Sequence, residues 1–95
     1  MRRIASLLIA LVASAALIGG CATANTVANA RTSLDKAKAA GAATKAPADY
    51  YMAEAYYEMA DHETREGDTS AAREYAGKSI KHSEQAIQKA GGGGK

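Results

Sequence analysis

Few side chains in this 95-residue chain could carry chemistry. It has one cysteine, Cys21, and two histidines, His62 and His82. The run His62-Glu63-Thr64-Arg65-Glu66 begins like a zinc-binding helix, but Glu66 stands where that pattern needs a second histidine. Catalytic zinc takes three protein ligands and leaves one position open, and His82 lies on a later helical stretch. A solvated polar face is the simpler reading of His62 and Glu66. The carboxylates Glu54, Glu58, Asp61, Glu63, Glu66 and Asp68 crowd one region. They lack the alternating oxygen ligands of a calcium loop. With Arg65 among them, they read as an exposed charged face rather than an acid–base pair. Ser70, Ser79 and Ser83 have no aspartate–histidine arrangement beside them to make a nucleophile. Gly91 to Gly94 lacks the spacing and the following helix of a phosphate loop. The sequence therefore predicts no catalytic, cofactor-binding or metal-ligating residues, and no enzyme.

Cys21 differs because of what precedes it. Arg2 and Arg3 form a positive start, Ile4 to Ile18 an uncharged apolar run, and Gly19-Gly20 a small-residue zone. Those are the three parts of a secretory signal. A membrane-spanning helix wants about 20 apolar residues, and no basic stop-transfer residues follow Gly20 directly. The residues Ile18-Gly19-Gly20-Cys21 resemble a bacterial lipobox. That resemblance implies cleavage between Gly20 and Cys21, lipid on the Cys21 thiol and acylation of the new amino group. Residues 1–20 are then a removable lipoprotein signal peptide. Stable anchoring needs more than one acyl chain, and a lipoprotein of this kind carries several, palmitate included. Ala22 follows the cysteine where enteric inner-membrane lipoproteins carry aspartate, which implies the outer membrane, facing the periplasm. No cofactor other than this covalent lipid is expected.

The charge pattern narrows the partners. The net charge is +2, but Arg2 and Arg3 supply it. From Cys21 onward ten basic residues meet ten acidic ones. A nucleic-acid binder shows a basic face, so no nucleic-acid partner is expected. Alanine supplies most of the apolar fraction, and there is no Trp or Phe. So few large side chains make a marginal core, which points to self-association or to a protein partner in the envelope.

The elements behind Cys21 read as helices throughout. In the first stretch, about residues 23–40, Val27, Ala30, Leu34, Ala37 and Gly41 alternate at spacings of three and four, a narrow apolar seam. Gly41 and Pro47 bound a break, with Pro47 suited to a first helical position. The second helix, about 47–66, carries Met52, Tyr56, Met59 and Glu63 on one stripe flanked by Ala53 and Ala60. Tyr56 is expected in the core with Tyr75, and at least one of Tyr50 and Tyr51 at the surface. Gly67 suits the position just past a helix end and Asp68 the next N-cap. The third helix, about 69–90, repeats Ala72, Ala76, Ser79, Ser83, Ala86 and Ala90, with Ile80 and Ile87 beside them. Residues 91–95, rich in glycine, read as a flexible tail. The expected fold is all-α: an alanine-rich antiparallel helical hairpin or three-helix bundle spanning 21–90.

Two resemblances extend this reading. Residues 55–87 resemble a single tetratricopeptide-type helix pair through Ala60, Gly67-Asp68 and Ala72, though a repeat array needs at least about three units. The order of "ANARTSLDKAKAAGA", Ala46-Pro47, Ala60, Gly67-Asp68 and the ladder Ala72, Ala76, Ala86 resembles the bacterial lipoprotein family of "domain of unknown function 4398". That resemblance covers roughly residues 22 to 90 and brings no enzyme activity and no site residues. The expected role is a small lipid-anchored outer-membrane lipoprotein, acting structurally or as an adaptor through a helical surface. The alternative is wall tethering. Lys95 after four glycines resembles the end of the major (Braun-type) outer-membrane lipoprotein, whose C-terminal lysine is joined to peptidoglycan. The helix breaks at Gly41–Pro47 and Gly67–Asp68 depart from that family's long heptad coil.

Overall fold

The computed structural model describes residues 25–92, which form helices joined by short turns. Helix α1 covers 25–39, α2 is the single turn Ala42–Lys45, α3 is Pro47–Arg65 and α4 is Thr69–Gly92. The all-α expectation holds, with one element the sequence reading did not separate: the break after α1 contains its own helical turn.

Each boundary has a local cause. Gly41 sits in the left-handed region at φ 78° and ends α1, a conformation open to glycine because it has no Cβ. Its carbonyl then accepts hydrogen bonds from the amides of Thr44 and Lys45, closing α2. Ala46, at φ −141° and ψ 60°, is pushed out of the helical region by the ring of Pro47, and Pro47 opens α3 where its missing N–H costs nothing. At the far end Gly67 again adopts positive φ, at 81°. The Asp68 amide donates to the Glu63 carbonyl and the Gly67 amide to Thr64, a Schellman ending that satisfies two last-turn carbonyls. Asp68 also caps the next helix, its Oδ1 accepting from the Ala71 amide at 3.0 Å.

Packing is built on alanine. Helices α3 and α4 run antiparallel. Ala30 packs with Ala60 and Ala76. Leu34 and Ala37 pack with Ala42, Ala46, Tyr50, Ala53, Ala86 and Ala90. Helix α1 therefore lies antiparallel to α3 and parallel to α4. Ala30, Leu34 and Ala37 of the predicted α1 seam are buried, with Val27 and Gly41 half-buried at its ends. All six residues of the α4 seam are buried, Ser79 and Ser83 included. So few atoms per side chain let the backbones come close: Ser79 Oγ donates across the α3–α4 interface to the Ala53 carbonyl at 2.7 Å.

Helix α3 is turned relative to the sequence expectation. Its buried face holds Tyr50, Ala53 and Ala60, with Tyr57 packed against both clusters. Met52 and Met59 face outward, and Tyr56 and Tyr75 are half-buried rather than central. Of the adjacent tyrosines, Tyr50 is buried and Tyr51 exposed. The physical reason is spacing. Both neighbours offer ladders of small residues, so α3 turns its own small face inward, whereas a methionine stripe would hold the helices apart. Helix α4 also runs on past Ala90 through Gly91 and Gly92, so the first two residues of the predicted tail are helical.

Candidate functional site

The sequence-predicted attachment residues, Gly20 and Cys21 with the signal before them, lie outside the described residues, as does Lys95. Thr26 lines a surface depression with Thr69, Ser70, Arg73 and Glu74, so the first described turn of α1 lies beside the α3–α4 turn. Helix α4 ends at the opposite end, its 24 residues spanning about 36 Å at 1.5 Å per residue.

The remaining chemical candidates lie on different faces and helices. His62 Nε2 lies 3.9 Å from Glu66 Oε1, both side chains about two-thirds exposed. No group of three His, Cys, Asp or Glu side chains among the described residues could hold a metal ion. The acidic face carries the ion pair Asp61–Arg65 at 2.6 Å, one helical turn apart. Glu74–Lys78 and Arg31–Asp35 repeat that arrangement. Pairs of this kind contribute about 0.3–0.5 kcal/mol each. Ser79 is engaged with a backbone carbonyl, and neither it nor Ser70 is paired with a histidine.

One polar constellation was not foreseen. Asp49, in the first turn of α3, is buried, its side chain one-tenth exposed. Its Oδ1 lies 3.2 Å from His82 Nδ1, and the Lys89 ammonium donates to Oδ2. These hydrogen bonds hold the Asp49 carboxyl below its ordinary pKa against the opposing effect of desolvation. The start of α3 favours the same charge, because unpaired amides there make the helix end positive. His82 stacks on Tyr56 at 5.6 Å and Tyr56 on Tyr75 at 6.2 Å, with the Lys78 ammonium 5.6 Å above the Tyr56 ring. His82 and Lys89 are seven residues apart, two turns of one face, which sequence reading could have noticed. Their pairing with Asp49 requires knowing the α3–α4 register. The cluster fixes that register: one buried carboxylate satisfied from two turns of the facing helix. On the α1 side Arg31 lies over the Tyr57 ring at 5.5 Å, and burial pushes the Tyr50 hydroxyl pKa up.

The surface itself is the other feature. Along α3, Ala48, Met52, Ala55 and Met59 are all exposed, Met52 by 45 % and Met59 by 41 %, and Tyr51 beside them by 55 %. Ala55, Met59, Glu58, His62 and Glu63 line a depression at the lower end of this stripe. A connected apolar strip of this kind on a small helical body marks a contact face more readily than isolated exposed side chains do. The described helices include none long and apolar enough to cross a membrane.

The family model for domain of unknown function 4398 matches residues 25–91, which is the whole helical body up to its last turn. Comparison with curated proteins and with solved structures found no match.

Proposed function

The chain belongs to the family of domain of unknown function 4398, and from that premise we propose that it is a small lipid-anchored protein of the bacterial outer membrane. Cys21 is its attachment point on the periplasmic face, and the helical body works as a structural or adaptor surface. The observation that carries the adaptor role is the exposed Ala48–Met52–Ala55–Met59 stripe with Tyr51 at its edge. A chain this poor in large apolar side chains leaves three of them in solvent while filling its own core with alanine. Burying a methionine contributes about 1.5–3 kcal/mol, so a partner covering this stripe would gain stabilisation that the fold leaves unused. The anchor is supported by the resemblance of Ile18-Gly19-Gly20-Cys21 to a lipobox.

The test is site-specific photo-crosslinking in intact cells from position 51 or 59, with the exposed α1 position 32 as control. A discrete protein adduct from 51 and 59, absent from 32 and lost with Met52→Lys, is the expected result. Adducts to lipid alone would overturn the adaptor role. Wall attachment through Lys95 is a second reading, and one geometric observation favours it. Thr26 lies at the α3–α4 turn, while α4 runs about 36 Å away from that turn to Gly92. It requires a detergent-resistant, lysozyme-released fraction that disappears when Lys95 is deleted.

A further inference from the structure

We propose that the α3 stripe is the contact face for a second copy of this chain, packed with its α3 antiparallel to the first. The inference rests on the adaptor reading above and names its partner.

The stripe is self-complementary. Ala48, Met52, Ala55 and Met59 follow one another at spacings of four, three and four, the repeat that keeps a helix face against a partner helix. Small and large residues alternate along it. Place a two-fold axis midway between Met52 and Ala55, with the second helix reversed. Met52 then meets the partner's Ala55, and Met59 meets the partner's Ala48. Every large side chain faces a small one, which is the condition for interdigitated packing at native density. A parallel pair instead sets methionine against methionine and alanine against alanine.

Charge makes the same choice. In a parallel pair, the residue just before one stripe position lies against the residue just after the next on the other helix. That would bring Glu58 against the partner's Glu63, and like charges so placed suppress the wrong arrangement. In the antiparallel pair, Glu58 instead faces the partner's Tyr51, whose hydroxyl can donate to the carboxylate. The acidic end of α3, with Glu63 and Glu66, then lies toward the start of the partner's α3, which the exposed Lys45 of α2 precedes by two residues. The pairing is isologous, so it closes at two copies and leaves no stripe open for further growth. Since Thr26 lies beside the α3–α4 turn, the first described residues of the two copies stand at opposite ends of the pair. Four residues reach at most about 14 Å, so a pair held at both Cys21 residues would lie along the membrane surface.

The test uses the full chain in its native membranes, with Ala48→Cys and Met59→Cys variants carrying different tags and the parent chain as the control for Cys21. A disulfide needs Cα atoms within about 7 Å. The antiparallel pair brings 48 and 59 of different copies together, and sets 48 and 48 roughly 16 Å apart at 1.5 Å per residue. Co-expression is therefore expected to give the mixed disulfide, and Ala48→Cys alone none. In the detergent-solubilised protein, Met52→Lys should weaken the dimer by roughly thirtyfold or more, as for a central interface side chain, with helicity unchanged. A 48–48 disulfide in place of the mixed one would overturn the antiparallel pairing. A dimer indifferent to Met52→Lys would overturn the choice of face. A stripe adduct to a different protein, with no mixed disulfide, would overturn self-pairing and leave the adaptor reading standing; lipid-only adducts with no disulfide would overturn both.

Discussion

Two serines on one seam of α4, four residues apart, should respond to the same substitution with opposite sign. Ser79 and Ser83 are both fully buried. Ser79 Oγ donates to the Ala53 carbonyl at 2.7 Å, whereas Ser83 Oγ has no hydrogen-bond partner among the described residues. In Ser79→Ala the lost bond costs about 0.5–1.5 kcal/mol. Alanine's better helix propensity returns a few tenths, and the Ala53 carbonyl keeps its helical bond, so no acceptor is stranded. The net expectation is a loss of about 0.5 kcal/mol. In Ser83→Ala nothing is broken. Removing a buried, unsatisfied hydroxyl recovers about 1–3 kcal/mol of desolvation, and propensity adds to it, for a gain of about 1.5 kcal/mol. A domain of this size moves by roughly 4–8 °C in Tm per kcal/mol, so the two variants should straddle the parent and differ by roughly 10 °C. Thermal unfolding followed by circular dichroism at 222 nm reads both. Equal destabilisation by the two substitutions, or a Ser83→Ala variant less stable than Ser79→Ala, would refute the reasoning about what holds this seam together.

Other expectations follow from the same geometry. Asp49 has its folded-state pKa lowered from 3.8 by Lys89 and His82. Its contribution to stability is therefore full above that value and is lost as pH falls through the lower folded one. Asp49→Asn should lower Tm at pH 7 and flatten the acid limb of the profile; a parent and variant with parallel acid limbs would contradict this. Gly67 sits at φ 81°, so Gly67→Ala should cost about 1 kcal/mol. Gly77 lies inside α4 with open space where a Cβ would go, so Gly77→Ala should gain about 0.5–1 kcal/mol; urea titrations of the pair would show whether the signs differ. Ala76→Leu, in a site with no exposure, should lose about 1–3 kcal/mol through overpacking. A more stable leucine variant would mean that the helices are not held at alanine spacing.

Much of this fold was legible in the sequence because punctuation and small-residue ladders are local signals. Gly41, Pro47, Gly67 and Asp68 each stand where the backbone needs that residue type. The middle of the α1 seam, Ala30, Leu34 and Ala37, and the six-residue α4 ladder are buried as their spacing predicts. The rotation of α3 was not legible. Ranking its faces by side-chain size selects the Met52–Met59 stripe, whereas the small neighbours select Ala53 and Ala60. The Asp49–His82–Lys89 cluster was hidden for a related reason: its members are far apart in the chain and meet only once the α3–α4 register is set. The sequence reading joined Met52 and Met59 to Tyr56 and Glu63 on one stripe, whereas the exposed strip runs Ala48–Met52–Ala55–Met59.

Attachment through Cys21 is the central claim, and intact mass spectrometry of the protein extracted from outer membranes tests it most directly. The account predicts a chain beginning at Cys21 with the added mass of several acyl chains, and for Cys21→Ser an unprocessed chain that takes up no radioactive palmitate. A mature chain recovered with an unmodified Cys21 thiol, or palmitate labelling that survives Cys21→Ser, would contradict it.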